Sequence, residues 1–227
     1  MRKVFIQLFV ALAMVAIALP AQAQKKITNG FVKYELVDIL GDNLPPQASM
    51  MKGSKMDVYF SGEKQQVFMS FMGGMMQMKV IKTGKDDPGI LLTDMMGKKV
   101  KVKQEKESSI ENKVKDLKVE VAKGEDKTIA GYKCKKANLM TPKGEKIEIY
   151  FTDKIKPAGS YFDKIFPGLD GFPMEYRIVN QGITMVYSAL EVGDKVADGT
   201  FDVPEGYVEK TAEEFEKEMG GLGNLGF

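Results

Sequence analysis

Residues 65–82 read QQVFMSFMGGMMQMKVIK, and a glycine pair separates two runs that alternate between apolar and polar side chains. A hairpin turn at Gly73-Gly74 would place Phe71 opposite Met76 and Met69 opposite Met78. Because successive strand side chains point to opposite faces, one face of this hairpin is then wholly apolar. Its members are Val67, Met69, Phe71, Met76, Met78 and Val80. A shift of one residue would mix polar groups into this face, so the pattern itself predicts the register.

The same kind of pattern recurs through most of the chain. Short segments rich in Val, Ile, Tyr and Phe alternate with Gly, Pro, Asn and Asp, which is typical of strands joined by turns. Consecutive short hairpins predict a mainly β protein built as an antiparallel meander. The predicted strands are 30–39, 55–60, 65–72, 75–82, 90–93, 99–104, 117–122, 131–140, 146–152, 174–180 and 183–191.

Helix signals are few. Thr211 and Glu214 form a capping-box pattern, which predicts a helical turn or two before Gly220-Gly221. The polar segment 105–116 fits either a helix or a loop. Three prolines predict an irregular structure for residues 155–173.

The first 23 residues have the pattern of an export signal. Arg2 and Lys3 precede an apolar run, and Ala21-Gln22-Ala23 ends the segment with small residues at the cleavage positions. The apolar run is short for a membrane span, and no later stretch is long enough to be one. We therefore expect a signal peptide at 1–23 and a single domain at 24–227, located in the periplasm or secreted from a Gram-negative envelope.

Charge argues against several classes of partner. The chain has 33 basic and 31 acidic residues, and removal of the predicted signal leaves 31 of each. Formal neutrality argues against a nucleic-acid partner, which requires a basic face. Arg177 is the single arginine after residue 23, so an arginine clamp for phosphate or carboxylate is not expected.

Cys134 is the single cysteine, in a chain with no histidine and no tryptophan. Strand alternation at 132–137 predicts that Tyr132, Cys134 and Lys136 share one side, with Lys133, Lys135 and Ala137 on the other. A cysteine nucleophile needs a base, and a zinc site needs further ligands, neither of which the sequence supplies. The sequence also lacks a Gly-x-Ser-x-Gly motif, a phosphate loop and a dinucleotide fingerprint. We expect a buried thiol, no enzyme activity, no metal site and no cofactor.

Ten of the 16 methionines lie between Met50 and Met96, and three interpretations remain open. Methionine fills irregular gaps in a core, so these residues fit a packed interior. Unbranched thioether chains also suit a deformable groove for lipid or acyl chains. A third interpretation is Cu(I) binding by soft thioether ligands, which the absence of histidine makes less favourable.

Three further segments resemble a group of exported bacterial proteins that includes the GLPGLI-motif family. They are KTIAGYKCKKA at 127–137, IEIYFTDKI at 147–155 and FPGLDGFPMEY at 166–176, while FDVPEGY at 201–207 looks like the last strand of lipoprotein-carrier-like domains. Tyr150 stands where the group has tryptophan. The resemblance implies a strongly curved antiparallel sheet, an incomplete barrel with an apolar concave face and a few short helices. It implies no catalytic residue and no ligand.

These expectations combine into a leading functional hypothesis. We expect a non-catalytic envelope protein that binds a hydrophobic ligand, a lipid or an acylated protein, on the concave face. The candidate groove residues are Val67, Met69, Phe71, Met76, Met78 and Val80. The alternative is a structural or interaction protein whose core is filled.

Overall fold

The computed structural model describes residues 26–42, 44–46, 48–104, 118–140, 146–180 and 182–219. The predicted signal at 1–23, the polar segment 105–116 and the glycine-rich C-terminal tail lie outside these described residues. No helix among the described residues has both the length and the apolar character needed to cross a membrane.

The described chain is mainly β, as predicted, and its strands form one curved sheet that does not close. The first six strands are β1 Gly30–Leu40, β2 Lys55–Ser61, β3 Lys64–Phe71, β4 Met76–Lys82, β5 Ile90–Met95 and β6 Lys98–Lys103. The next six are β7 Lys118–Val121, β8 Lys127–Ile129, β9 Tyr132–Met140, β10 Lys146–Thr152, β11 Phe172–Asn180 and β12 Ile183–Gly193. The last is β13 Val208–Lys210, and three short helices are α1 Ala48–Met51, α2 Tyr161–Ile165 and α3 Ala212–Met219. Each of the eleven predicted strands is present, with ends that differ by no more than two residues.

Two antiparallel meanders make up the sheet, and one long pair of strands joins them. The spatial order is β13-β6-β5-β4-β3-β2-β1-β12-β11-β10-β9-β7, with β8 paired to β9. The first and twelfth strands run antiparallel along nearly their whole length, from Phe31 opposite Gly193 to Leu40 opposite Thr184. The sheet is antiparallel except where β13 lies parallel to β6. The chain therefore returns beside its own first strand, and this places the core residues of both meanders on one face.

The register of the β3–β4 hairpin is the predicted one. Phe71 lies opposite Met76, and Met69 lies opposite Met78. The connection is a four-residue loop rather than a two-residue turn, since Met72 and Met75 lie outside the strands and close it with a long N–H···O contact of 3.5 Å. Gly73 and Gly74 have φ values of +67° and +95°, a region that glycine occupies without steric cost.

Helix α3 has the predicted cap. The Glu214 backbone N–H donates to the Thr211 hydroxyl at 3.2 Å, and the Thr211 N–H donates to the Glu214 carboxylate at 2.9 Å. Both bonds satisfy N–H groups that a helix start leaves without partners.

Two local predictions are wrong. Residues 155–173 contain α2, which begins after a capping box between Ser160 and Asp163. The prolines lie outside this helix, so they do not interrupt it. Residues 201–207 are not a strand, because the last strand is β13, which starts one residue later.

Strand β9 also departs from simple alternation. Cys134 is buried as predicted, but Ala137, expected on the opposite side, is buried with it. The edge partner of β9 changes between these two residues, from β8 opposite Cys134 to β7 opposite Ala137. The buried positions of β9 therefore shift from even-numbered to odd-numbered residues between Cys134 and Ala137. Sequence alternation alone does not reveal this shift.

Candidate functional site

The six residues predicted to line a groove lie together on the inner, core-bearing face of β3 and β4. The cross-strand pairs are Val67 with Val80, Met69 with Met78, and Phe71 with Met76. Four of the six are buried, while Met76 and Val80 are half-buried. We call these six residues the methionine face. The structure therefore assembles the predicted group as a core surface with a half-buried rim along β4.

Strand β5 extends the methionine face in a way that the sequence analysis missed. Leu91 lies opposite Val80, Thr93 opposite Met78, and Met95 opposite Met76. Thr93 is a buried polar residue in an otherwise apolar row. Residues 90–93 were predicted as a strand, but seven residues separate β4 from β5. A connection of this length does not set the register, unlike a tight turn.

A cluster of aromatic rings fills the other half of the inner face. Phe162, on α2, is 2% exposed, and its ring lies 5.2 Å from Phe172 and 5.3 Å from Tyr176, measured between ring centroids. The members of this aromatic cluster are Tyr34, Phe162, Phe166, Phe172, Tyr176 and Tyr187. Most of these pairs have edge-to-face or tilted geometry, which aromatic quadrupoles favour. Helix α2 thus closes this half of the sheet with packed rings.

The phenol groups of the cluster keep partners in the core. The Tyr34 hydroxyl donates to the Pro173 carbonyl at 2.7 Å, and the Tyr176 hydroxyl donates to the Met56 sulfur at 3.4 Å. Burial raises the pKa of both phenols well above the ordinary value, and it raises the pKa of Tyr187 to about 12. These tyrosines are therefore neutral structural groups and not proton-transfer residues at ordinary pH.

A small open cleft of about 160 Å³ lies beside helix α2, away from the methionine face. Its lining residues are Ile155, Lys156, Pro157, Ser160, Asp163, Leu169, Asp170, Gly171 and Phe172. The Ser160 and Asp163 side chains serve as the α2 cap, and Lys156 pairs with Asp170 at 3.3 Å. Since local structure uses these polar groups, the cleft offers no evident set of reactive side chains.

Cys134 is fully buried, and its thiol donates to the Tyr132 carbonyl at 3.3 Å. Burial raises the pKa of the Cys134 thiol to about 11. Because the thiolate is the reactive form, a thiol with this pKa is a poor nucleophile at neutral pH. The predicted role as a small core residue is consistent with this environment.

The folded protein is expected to protect Cys134 from thiol reagents at pH 8, because the side chain is both buried and protonated. Ellman's reagent should detect no thiol in buffer and one thiol in guanidinium chloride. A Leu190→Cys variant in a Cys134→Ala background places a thiol at an exposed position of β12 and should react in buffer. Full labelling of native Cys134 at the rate of that control would contradict the buried assignment.

Arg177 lies in an ion-pair network on β9, β10 and β11. Its guanidinium pairs with Glu148, which also accepts from Lys136 at 2.8 Å. Lys136 pairs in addition with Glu125 at 2.5 Å. The hydrogen bond from Lys136, together with Arg177, lowers the pKa of Glu148. Arg177 is therefore engaged by a carboxylate within the chain.

The described residues hold no group of three or more His, Cys, Asp or Glu side chains in reach of one metal ion. That finding concerns the ligands of zinc, calcium and magnesium sites. It does not bear on thioether ligands.

Comparison with solved structures finds distant similarity to sheet-rich proteins. A structure of PNGF-II matches over 84% of this chain and 32% of its own length, at 17% identity and a TM-score of 0.48. A crystal structure of MucB matches over 81% of this chain and 60% of its own length, at 7% identity and a TM-score of 0.34. The chain thus spans about a third of the first of these proteins. At these values the matches carry no argument about function.

A comparison with proteins of curated function gives no match. A family model described as a domain of unknown function, DUF4412, matches residues 44–165. This range includes the complete methionine face, Cys134 and helix α2, and it covers more than half of the chain. The chain therefore belongs to the DUF4412 family of unknown function.

Proposed function

We propose that this protein is an exported, non-catalytic component of the Gram-negative envelope that binds the acyl chain of a lipid or lipoprotein at the methionine face. The observation that carries the proposal is the rim of half-buried apolar side chains, Met76, Val80 and Leu91, beside the buried Met69 and Met78. An acyl chain that lies along the partly open edge of an apolar surface extends that surface and buries its own apolar area against it. Apolar burial contributes about 25 cal/mol per Å² to such binding.

The side chains of this face suit ligands of variable shape. Met69 and Met78 are unbranched, with three rotatable bonds each, so they can repack around a chain. The aromatic cluster is a different environment, because its rings contact one another in fixed pairs. The two halves of the inner face thus differ in role. The packed rings stabilise the fold, and the methionine side chains can adjust to the shape of a ligand.

The non-catalytic part of the proposal is supported by the chemistry of the titratable groups. The chain has no histidine, and the Cys134 thiol is buried with a raised pKa. Glu148, a partly buried carboxylate, has a lowered pKa because it lies between Lys136 and Arg177, so it is a poor general base. Resemblance to the GLPGLI-motif and lipoprotein-carrier-like proteins agrees with an envelope location and remains part of the proposal.

A filled-core interaction protein is the competing function. Val67 and Phe71 are buried almost completely, and Met69 and Met78 are each 8% exposed. The cleft of about 160 Å³ lies elsewhere and is smaller than the pockets of about 300–1,000 Å³ that hold small ligands. Acyl binding therefore requires the methionine side chains to move apart, whereas the interaction function requires no movement.

Purified protein is expected to bind a fluorescent fatty acid, and native mass spectrometry of protein from its host should show co-purified lipid. A Val80→Lys change puts a charge at the rim without altering the deepest residues. It should weaken probe binding by about tenfold or more, since burial of a valine side chain contributes about 1.5–3 kcal/mol.

Val179→Lys on β11 is the matched control, because Val179 is already 40% exposed, and it should leave probe binding unchanged. Thermal unfolding of both variants checks that each one folds. If the wild-type protein carries no lipid and ignores the probe, the acyl-binding function is wrong and the filled-core function takes its place.

A further inference from the structure

Two turns at one end of the sheet bring five methionines together. The β3–β4 loop contains Met72 and Met75, and Met76 begins the next strand. The β5–β6 turn follows Met95 and contains Met96. The turns are adjacent, because Met76 lies directly opposite Met95 and the Met96 N–H donates to the Met75 carbonyl at 3.0 Å. We call these five residues the methionine turn cluster.

The composition of β4 and β5 changes along their length. At the far end the apolar positions carry branched aliphatic residues: Val80, Ile81, Ile90, Leu91 and Leu92. At the turn end, positions 72, 75, 76, 95 and 96 all carry methionine. Leucine or isoleucine would bury a similar apolar area, so burial alone does not account for five thioethers in and beside these two turns.

Backbone geometry makes the choice of methionine more unusual. Met72 and Met96 have φ values of +51° and +53°, in the left-handed region. A side chain other than glycine costs about 1–2 kcal/mol there. Met96-Gly97 joins the paired residues Met95 and Lys98, a two-residue turn with positive φ at both positions, for which Asn-Gly is the favoured sequence. Two methionines thus occupy strained positions at the same end of the sheet.

The cluster has an accessible side and a sheltered side. Met96 is 88% exposed and Met75 is 50% exposed, while Met72, Met76 and Met95 are half-buried. Directly opposed strand residues have Cβ atoms about 4.5–5.5 Å apart, so the flexible Met76 and Met95 side chains can direct both sulfur atoms to one point. The exposed Met75 and Met96 leave the cluster open to solvent.

We propose that the methionine turn cluster is a thioether site for a soft monovalent cation, Cu(I) or Ag(I). Uncharged sulfur ligands select soft cations and leave Zn²⁺, Ca²⁺ and Mg²⁺ in solution. Met76 and Met95 supply the two central sulfurs, and Met75, Met96 or Met72 completes the coordination. Met76 belongs to both the methionine face and this site, but metal binding uses its sulfur atom, whereas acyl binding uses the apolar surface of the face.

An apolar partner docking on the same methionines is the competing explanation. The exposed members, Met75 and Met96, lie on two turns and not along a groove. Docking would be served by any apolar side chain, whereas metal binding requires sulfur. This difference allows leucine substitutions, which keep volume and apolarity, to separate the two explanations.

The full-length protein should bind one Ag(I), or one Cu(I) under anaerobic ascorbate, in native mass spectrometry and in competition with a chromogenic chelator. The ¹³C-methyl NMR signals of Met75, Met76, Met95 and Met96 should shift on binding. Thioethers carry no titrating proton, so the affinity should not change between about pH 5 and 8, unlike that of histidine or thiolate sites. Zn²⁺ should not compete.

A Met76→Leu, Met95→Leu double variant should weaken Ag(I) binding by about 100-fold or more, given that loss of an outer-shell partner alone costs about 10- to 100-fold. Met140→Leu, at a half-buried position of β9, is the matched control and should bind normally. Wild-type protein that binds no Ag(I), or a double variant that binds as tightly as wild type, overturns the metal site.

Discussion

Replacement of Phe162 by alanine is expected to destabilise the folded protein by about 3–5 kcal/mol, the usual cost of removing a buried phenylalanine. The Phe162 ring is 2% exposed and contacts rings from β1, β11 and its own helix. Its loss leaves a cavity that the surrounding rings cannot fill without losing their own contacts. Since domains of this kind are stable by about 5–15 kcal/mol, the change removes a large share of the total.

Urea unfolding followed by circular dichroism measures this effect at neutral pH. Leu190→Ala is the control, because Leu190 is 58% exposed on β12 and its truncation should cost well under about 1 kcal/mol. Phe162→Leu should fall between the two, as a smaller cavity remains. Equal midpoints for Phe162→Ala and wild type would show that helix α2 does not close the core.

Alkaline pH is expected to unfold the protein as its buried tyrosines and Cys134 ionise. Burial raises the pKa of Tyr34 and Tyr176 well above the ordinary value, that of Tyr187 to about 12 and that of Cys134 to about 11. In the unfolded chain these groups titrate near about 10 for tyrosine and about 8.5 for cysteine. The unfolded state therefore binds fewer protons at high pH, and the free energy of unfolding falls as pH rises.

This stability is fully present below about pH 8.5 and is lost progressively as the pH rises through about 12. A tyrosine whose pKa is raised by about two units accounts for about 2.7 kcal/mol of the loss. Urea midpoints measured from pH 7 to 12 should decline, with reversal on return to pH 8. Tyr187→Phe in a Cys134→Ala background should flatten the decline. A midpoint that stays constant to pH 12 would contradict the burial of these phenols.

Local patterns predicted most of the strands because alternation and turn residues act within a few positions. The 65–82 hairpin is the clearest case, since a one-residue shift would have placed Gln77 or Lys79 of β4 beside Val67, Met69 and Phe71. Helix α2 departs from the irregular structure predicted for 155–173, because the three prolines of this segment lie outside the helix and the Ser160–Asp163 cap starts it between them. The Ser160 and Asp163 capping pattern is the local sequence signal that predicts the start of this helix.

Other features could not be read from local sequence. The shift of the buried positions along β9 depends on which strand pairs with it. Strand β8 pairs with residues 132–134 of β9, and β7 pairs with residues 137–140. The adjacency of Met76 and Met95 depends on the register across a seven-residue connection. In both cases the partner is distant in sequence, and alternation contains no information about it.

The amino-acid sequence was sufficient to specify most of the strands and the apolar face of the central hairpin, because these depend on side-chain period and on glycine conformations over a few residues. Tertiary packing was needed for the pairing of β1 with β12, the aromatic cluster around Phe162 and the methionine turn cluster. Long-range pairing sets these features. This pairing depends on the apolar area that the whole chain buries, and no single segment determines that area.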